Sequence, residues 1–151
     1  MGHRAGLRKL EDMVRLVKRR GIRYFSVYAF STENWSRPKM EVEGLMSLFR
    51  YYIRHKVDAI KAEGGRIRFA GRRDNIPPDL LEMMRWAEDR TAEETTIDFI
   101  LCLNYGGRAE VLDAVNALVG SGHQGPVTEA DLRRFFYLPD VPRLVDRKSV
   151  V

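Results

Sequence analysis

The stretch Ile22-Arg23-Tyr24-Phe25-Ser26-Val27-Tyr28-Ala29-Phe30 runs straight into Ser31-Thr32-Glu33-Asn34-Trp35-Ser36-Arg37-Pro38, and its reading decides the fold. The first nine residues are β-branched and aromatic with little polar/apolar alternation, the pattern of a parallel strand covered on both faces. Such a strand is expected at the centre of its sheet. Residues 31–40 are polar and lack periodicity, which makes them a loop at the strand's carboxyl end. Upstream, Leu7, Leu10, Met13, Val14 and Val17 recur at helical spacing among charges and Gly21 stops them, so residues 5–20 form an amphipathic helix. Downstream, Val42, Leu45, Met46, Phe49, Ile53, Val57 and Ile60 share one face of an unusually long, apolar helix that stops at Gly64-Gly65.

A second strand is expected over residues 66–71. There Ile67 and Phe69 alternate with Arg66 and Arg68, so one face is wetter and the strand lies nearer a sheet edge. Asn75 with Pro77-Pro78 opens a helix bearing Leu80, Leu81, Met84 and Ala87, and residues 97–103 read as a third buried strand. Asn104-Tyr105-Gly106-Gly107 turns that strand into a helix with Val111, Leu112, Val115 and Leu118. A Gly-rich loop over 120–127 leads to Thr128 and Asp131, a capping-box-like start for a short helix to about Phe136. Helices alternating with strands make this an α/β chain with a mostly parallel sheet flanked by helices. No strand feeds the first helix, and nothing closes the chain after Pro142, so elements are expected to be missing at both ends.

At 151 residues the chain amounts to about one domain, and 44% hydrophobic with 10% aromatic residues can build a core. Disorder, a collagen-like repeat and a disulfide mini-protein are excluded. The lone cysteine, Cys102, falls inside an apolar run, which excludes a disulfide framework or a cysteine-based zinc site and fits a reducing cytoplasm. No apolar stretch approaches the roughly 18 residues of a membrane span, so a cytoplasmic protein is expected. Of the net charge of +5, residues 1–23 contribute +6 and the remainder −1. A basic patch of that kind suits nucleic acid or small diphosphates, or is a solvated helix face.

Ligands of parallel α/β sheets bind beyond the carboxyl ends of the strands, so the loop after the first strand is the first candidate. Its hydroxyls (Ser31, Thr32), amide (Asn34), indole (Trp35) and guanidinium (Arg37) can hydrogen-bond an anion while shielding an apolar group. The same residues are compatible with a purely local role, in which Ser31 and Thr32 turn, Asn34 caps and Trp35 folds back on the core. Asn104-Tyr105-Gly106-Gly107-Arg108 is a second strand-to-helix turn whose glycines let backbone approach a ligand, or are simply a tight turn; it matches neither the Walker nor the dinucleotide pattern. Gly2-His3-Arg4-Ala5-Gly6 puts His3 at a helix start, where it either meets a phosphate or is solvated.

Taken together these segments, with Tyr28-Ala29-Phe30 before Ser31 and Glu41-Val42 with Gly44-Leu45-Met46 after Pro38, resemble the cis-prenyltransferase family, on the side of the bacterial undecaprenyl diphosphate synthases. They occur in the family's order from residue 2 to about 140. The resemblance implies an enzyme that adds isopentenyl diphosphate, in cis, to an allylic diphosphate such as farnesyl diphosphate. The product implied is a long undecaprenyl-type diphosphate, a membrane lipid that serves as cell-wall lipid carrier. It further implies Mg²⁺, a homodimer and no nucleic-acid partner. Carried over by position, His3 lies at the diphosphate, Ser31, Thr32 and Glu33 line the substrate site, Asn34 is the catalytic proton acceptor, and Trp35 and Arg37 bind substrate on a mobile loop to which Glu41 returns. An amide is a very poor base, so Asn34 is better read as orienting the departing proton or a water. Arg37 offers a planar fork for diphosphate oxygens.

Growing chains need an apolar tunnel, and at ~0.8 kcal/mol per buried CH₂ each five-carbon unit gains roughly 3–4 kcal/mol by entering it. Leu45, Phe49, Phe69 and Ile97 are the expected wall, with Ile97 near the floor; the alternative is that all four are ordinary core. The family's Asp-Gly-Asn-Gly-Arg-Trp loop, whose aspartate holds Mg²⁺, does not precede Gly2. Its Arg-Thr-Ser-Gly-Glu segment is not matched by residues 143–151. The expectation is therefore a partial domain over 1–142, a non-matching tail, no metal ligand in this chain, and little condensation by it alone. Two other classes are a basic RNA- or anion-binding module, which predicts salt-sensitive polynucleotide binding, and a non-catalytic subunit that retains the fold.

Overall fold

A computed structural model describes residues 13–142. Three strands, β1 (Tyr24–Ser31), β2 (Gly65–Ala70) and β3 (Ile97–Tyr105), form one parallel sheet in the order β1-β3-β2. Helix α1 is described over residues 13–19, followed in the chain by α2 (Lys39–Ala62), α3 (Pro78–Arg90), α4 (Gly107–Gly120) and α5 (Glu129–Arg133). The expected strands begin and end within two residues of these bounds, while the last helix stops short of Phe136. Residues 31–40 are not one irregular loop: Thr32–Ser36 wind into a 3₁₀ turn and α2 already begins at Lys39.

The expected centre of the sheet is corrected. β3, not β1, lies in the middle, with Ile97, Phe99, Ile100 and Leu103 buried, whereas β1 pairs only with β3 among the described residues and leaves Tyr28 59% exposed. An apolar, aromatic strand reports what its faces meet, not how many of its edges carry a hydrogen-bond ladder, so the pattern could not tell centre from edge. Among the described residues β2 takes an edge, as expected.

Register then sorts side chains by face. Phe25, Phe99 and Ile67 stand in one row across the sheet, with Val27, Leu101 and Phe69 in the next on the same side. That side merges with Ile53, Val57 and Ile60 of α2 and Leu80, Met84 and Ala87 of α3 into one core. Each large side chain buried there contributes roughly 1.5–3 kcal/mol. The opposite side is more polar: Arg66 pairs bidentately with the buried Asp98, and Arg68 with Asp140.

α2 is long, at 24 residues, but amphipathic rather than apolar throughout, with Glu43, Tyr51, Arg54 and His55 exposed. A bidentate Arg50–Asp79 pair ties it to the first turn of α3. Among the described residues no helix is long and apolar enough to cross a membrane. Because all three strands are parallel, their carboxyl ends open on one side of the sheet.

Candidate functional site at the strand ends

Three segments lie at those carboxyl ends: residues 31–38 from the last residue of β1 onward, 71–77 after β2 and 104–106 from the last two residues of β3 onward. In the first, Asn34 Oδ1 accepts a hydrogen bond from the Ser31 amide at 2.9 Å, and the Ser36 hydroxyl donates to the Glu33 carbonyl at 2.8 Å, which closes the 3₁₀ turn. Trp35 folds back: its ring meets Phe30 edge-on with centroids 4.9 Å apart, and its Nε1–H donates to Asn104 Oδ1 at 2.8 Å. The Glu33 carboxyl is held below its usual range by its own backbone amide, then by the Ser31 and Thr32 hydroxyls, with Arg108 adding attraction. It is therefore ionised at neutral pH and acts as an acceptor, not an acid. Arg37 and Glu41 pair one helical turn apart, both well exposed. A pair so exposed is worth only about 0–1 kcal/mol, so the guanidinium can leave it for a more highly charged anion.

The second and third segments lock onto the first. Asn104 adopts the left-handed backbone region at φ 52, which asparagine tolerates, and is 2% exposed. Its Nδ2 donates to the carbonyls of Asp74 at 2.9 Å and Arg72 at 3.2 Å. Gly71 has φ 134, and a Cβ there would stand 2.0 Å from the Leu103 carbonyl oxygen, so only glycine lets the β2 end approach β3. At Gly106 a Cβ would stand 2.6 Å from Thr32 Oγ1, so the two motifs singled out in the sequence touch. Beside this platform lies a cleft of about 570 Å³ lined by Trp35, Arg37, Val42, Met46, Arg50 and Pro77 among others. An indole, apolar α2 side chains and two guanidiniums thus share one space, a mixture suited to a ligand with an anionic head and an apolar tail.

A family model described as "Putative undecaprenyl diphosphate synthase" (Prenyltransf) matches residues 1–149. The chain belongs to this prenyltransferase family. An isoprenyl transferase of Thermotoga maritima is 40% identical over 144 residues, covering 93% of this chain and 62% of that protein. A trans,polycis-polyprenyl diphosphate synthase of Thermobifida fusca, described as specific for (2Z,6E)-farnesyl diphosphate, is 42% identical over 146 residues, covering 93% and 52%. The chain thus spans about half to two thirds of the length of such curated relatives. The fold is shared with the lavandulyl diphosphate synthase of Lavandula x intermedia, solved with dimethylallyl diphosphate, at a TM-score of 0.85 and 24% identity over 93% of this chain and 62% of that one.

Against the family's site pattern, the structure brings some expected residues together and leaves others apart. His3 lies outside the described residues, as do residues 143–151. Trp35 and Arg37 line the cleft, whereas Ser31, Thr32, Glu33 and Asn34 are not part of its lining. A mobile lid predicts Trp35 and Arg37 largely exposed or weakly ordered; Arg37 is exposed, whereas the Trp35 indole is half-buried and hydrogen-bonded, because Asn104 presents an acceptor at its edge. The local reading of this loop, with Asn34 capping and Trp35 folded back, describes the geometry found. Of the expected tunnel wall, Leu45 and Phe49 are half-buried against the core, and Phe49 meets Phe30 edge-on at 6.4 Å. Phe69 and Ile97 are buried, at 4% and 0% exposure, and Ile97 pairs with Gly65 at the amino ends of the strands, opposite the cleft.

Among the described residues no group of three or more His, Cys, Asp or Glu side chains is gathered to hold a metal ion. These residues do not fit the Mg²⁺ that the resemblance implies, and no step below is routed through it. Sequence reasoning missed the loop after β2 and the Asn104 side chain. The signal for the loop was present: Gly71-Arg72-Arg73-Asp74 follows a parallel strand just as the other two segments do.

Proposed function

We propose that this chain forms the strand-end platform of a cis-prenyl chain-elongating enzyme, taking an allylic diphosphate such as farnesyl diphosphate with isopentenyl diphosphate. The observation that carries the reading is the shared cleft, in which Arg37 and Arg50 stand beside Trp35 and the Val42–Met46 side of α2. On this reading the diphosphate draws Arg37 away from Glu41 and gains a planar, two-point clamp. The prenyl tail follows the apolar side of α2 toward Ile97, losing contact with water at each added unit. Asn34 already spends Oδ1 on the Ser31 amide, so its Nδ2–H groups are what it offers a ligand; it orients by donating and does not take up a proton. Glu33, ionised, keeps the Ser31 and Thr32 hydroxyls in place. An undecaprenyl-length product for the cell-wall lipid carrier, a homodimer and Mg²⁺ belong to this proposal through the family and not through residues placed here.

Calorimetric titration of the chain with farnesyl diphosphate, farnesol and inorganic diphosphate tests it. Farnesyl diphosphate should bind more tightly than either half, and Arg37→Ala should weaken it at least about tenfold, the minimum for losing a charge-assisted clamp. Farnesyl diphosphate binding no more tightly than farnesol would refute the reading.

A further inference from the structure

Asn104, near the end of β3, reaches the segments at the ends of both other strands with its side chain. Its Oδ1 accepts from the Trp35 indole at 2.8 Å, and its Nδ2 donates to the Arg72 and Asp74 carbonyls at 3.2 and 2.9 Å. The amide orientation is unambiguous, because a flipped group would set NH₂ against an indole N–H and oxygen against two carbonyls. At 2% exposure, water does not substitute for any of these partners at low cost. Trp35 in turn lines the cleft two residues from Arg37, so whatever fixes the indole also fixes where the Ser31–Pro38 segment presents its guanidinium.

We propose that Asn104 is a positioning residue of the diphosphate site: it acts through the Trp35 indole, holding the β1-end segment against the β2 and β3 ends so that Arg37 is aimed before the ligand arrives. The inference rests on the function proposed above and goes beyond it, since Asn104 does not itself line the cleft and reaches it only through Trp35. Preorganisation of this kind raises affinity by removing the ordering cost from the binding step.

The test has a ligand-free arm and a ligand arm, both on the full chain. In the unaltered protein the Trp35 indole proton should exchange with solvent at least about tenfold more slowly than that of Trp86, which is 44% exposed. Equal exchange would overturn the proposal without touching the functional reading. In a Trp86→Phe background Trp35 is the sole indole, because the chain holds two tryptophans. There Asn104→Gly, which keeps the φ of 52 accessible, should at least double acrylamide quenching of Trp35 and weaken farnesyl diphosphate about tenfold. The discriminating step is the same substitution beside Trp35→Phe, which keeps the ring and loses the N–H. Asn104→Gly should then weaken binding no further, and a second tenfold loss would show that Asn104 does not act through the indole. If Asn104→Gly does not fold, Trp35→Phe alone takes its place: loss of the indole N–H should weaken farnesyl diphosphate about tenfold, and an affinity within about twofold of the parent would overturn the proposal. Absence of farnesyl diphosphate binding by the unaltered chain would overturn the functional reading and this role with it, while the exchange measurement would still report the contact.

Discussion

Replacing Gly106 by alanine is the sharpest test of how the two sequence motifs meet. The added Cβ would stand 2.6 Å from Thr32 Oγ1 and 3.4 Å from its Cγ2, an overlap of about 0.8 Å with the oxygen for ordinary contact distances. Thr32 is β-branched, so turning Oγ1 away swings a methyl or hydrogen into the same space, and relief comes from displacing the 3₁₀ turn. Overpacking of this kind costs about 1–3 kcal/mol. Gly106 is also the N-cap of α4, where alanine is poorer than glycine by roughly 0.5–1 kcal/mol. The sum, about 1.5–4 kcal/mol, lowers the melting temperature by roughly 3–16 °C for a chain of this size. Thermal unfolding of Gly106→Ala, Thr32→Ala and the double variant separates the two parts. In the Thr32→Ala background the clash disappears and only the capping loss remains, so the coupling should be about 1–3 kcal/mol and favourable. If Gly106→Ala costs the same in both backgrounds, to within about 0.5 kcal/mol, the loops do not touch as described.

On the sheet's polar side, Arg66→Met should destabilise by about 3–5 kcal/mol, because it leaves Asp98, 1% exposed, as a buried charge without its bidentate partner; urea denaturation measures this, and a change under about 1 kcal/mol would contradict the pairing. Burial, and then the nearby Glu110, push the Cys102 thiol up to about 11. At pH 8 about one part in a thousand is therefore thiolate, and alkylation by iodoacetamide in the native chain should rise tenfold per pH unit from 8 to 10 and level off only near 11, whereas a plateau near pH 8.5 would show an unshifted thiol.

The sequence by itself determined the α/β alternation, the parallel reading of the strands and the location of chemistry at strand ends. Each of these depends on local pattern: runs of apolar residues, helical spacing and turns such as Gly106-Gly107. It also determined the family, through the ordered string from Tyr28 to Pro38 and the Asn104–Arg108 turn. Tertiary structure alone decided what required two distant segments at once. Whether β1 is a centre or an edge depends on which strands hydrogen-bond to it, and its own side chains carry no record of that. That Trp35 is latched and not loose depends on an acceptor 69 residues away. The side chain of Asn104 is a turn former by composition. It became the junction of three loops only because β3 lies between β1 and β2, which brings the ends of both within hydrogen-bond reach of one amide.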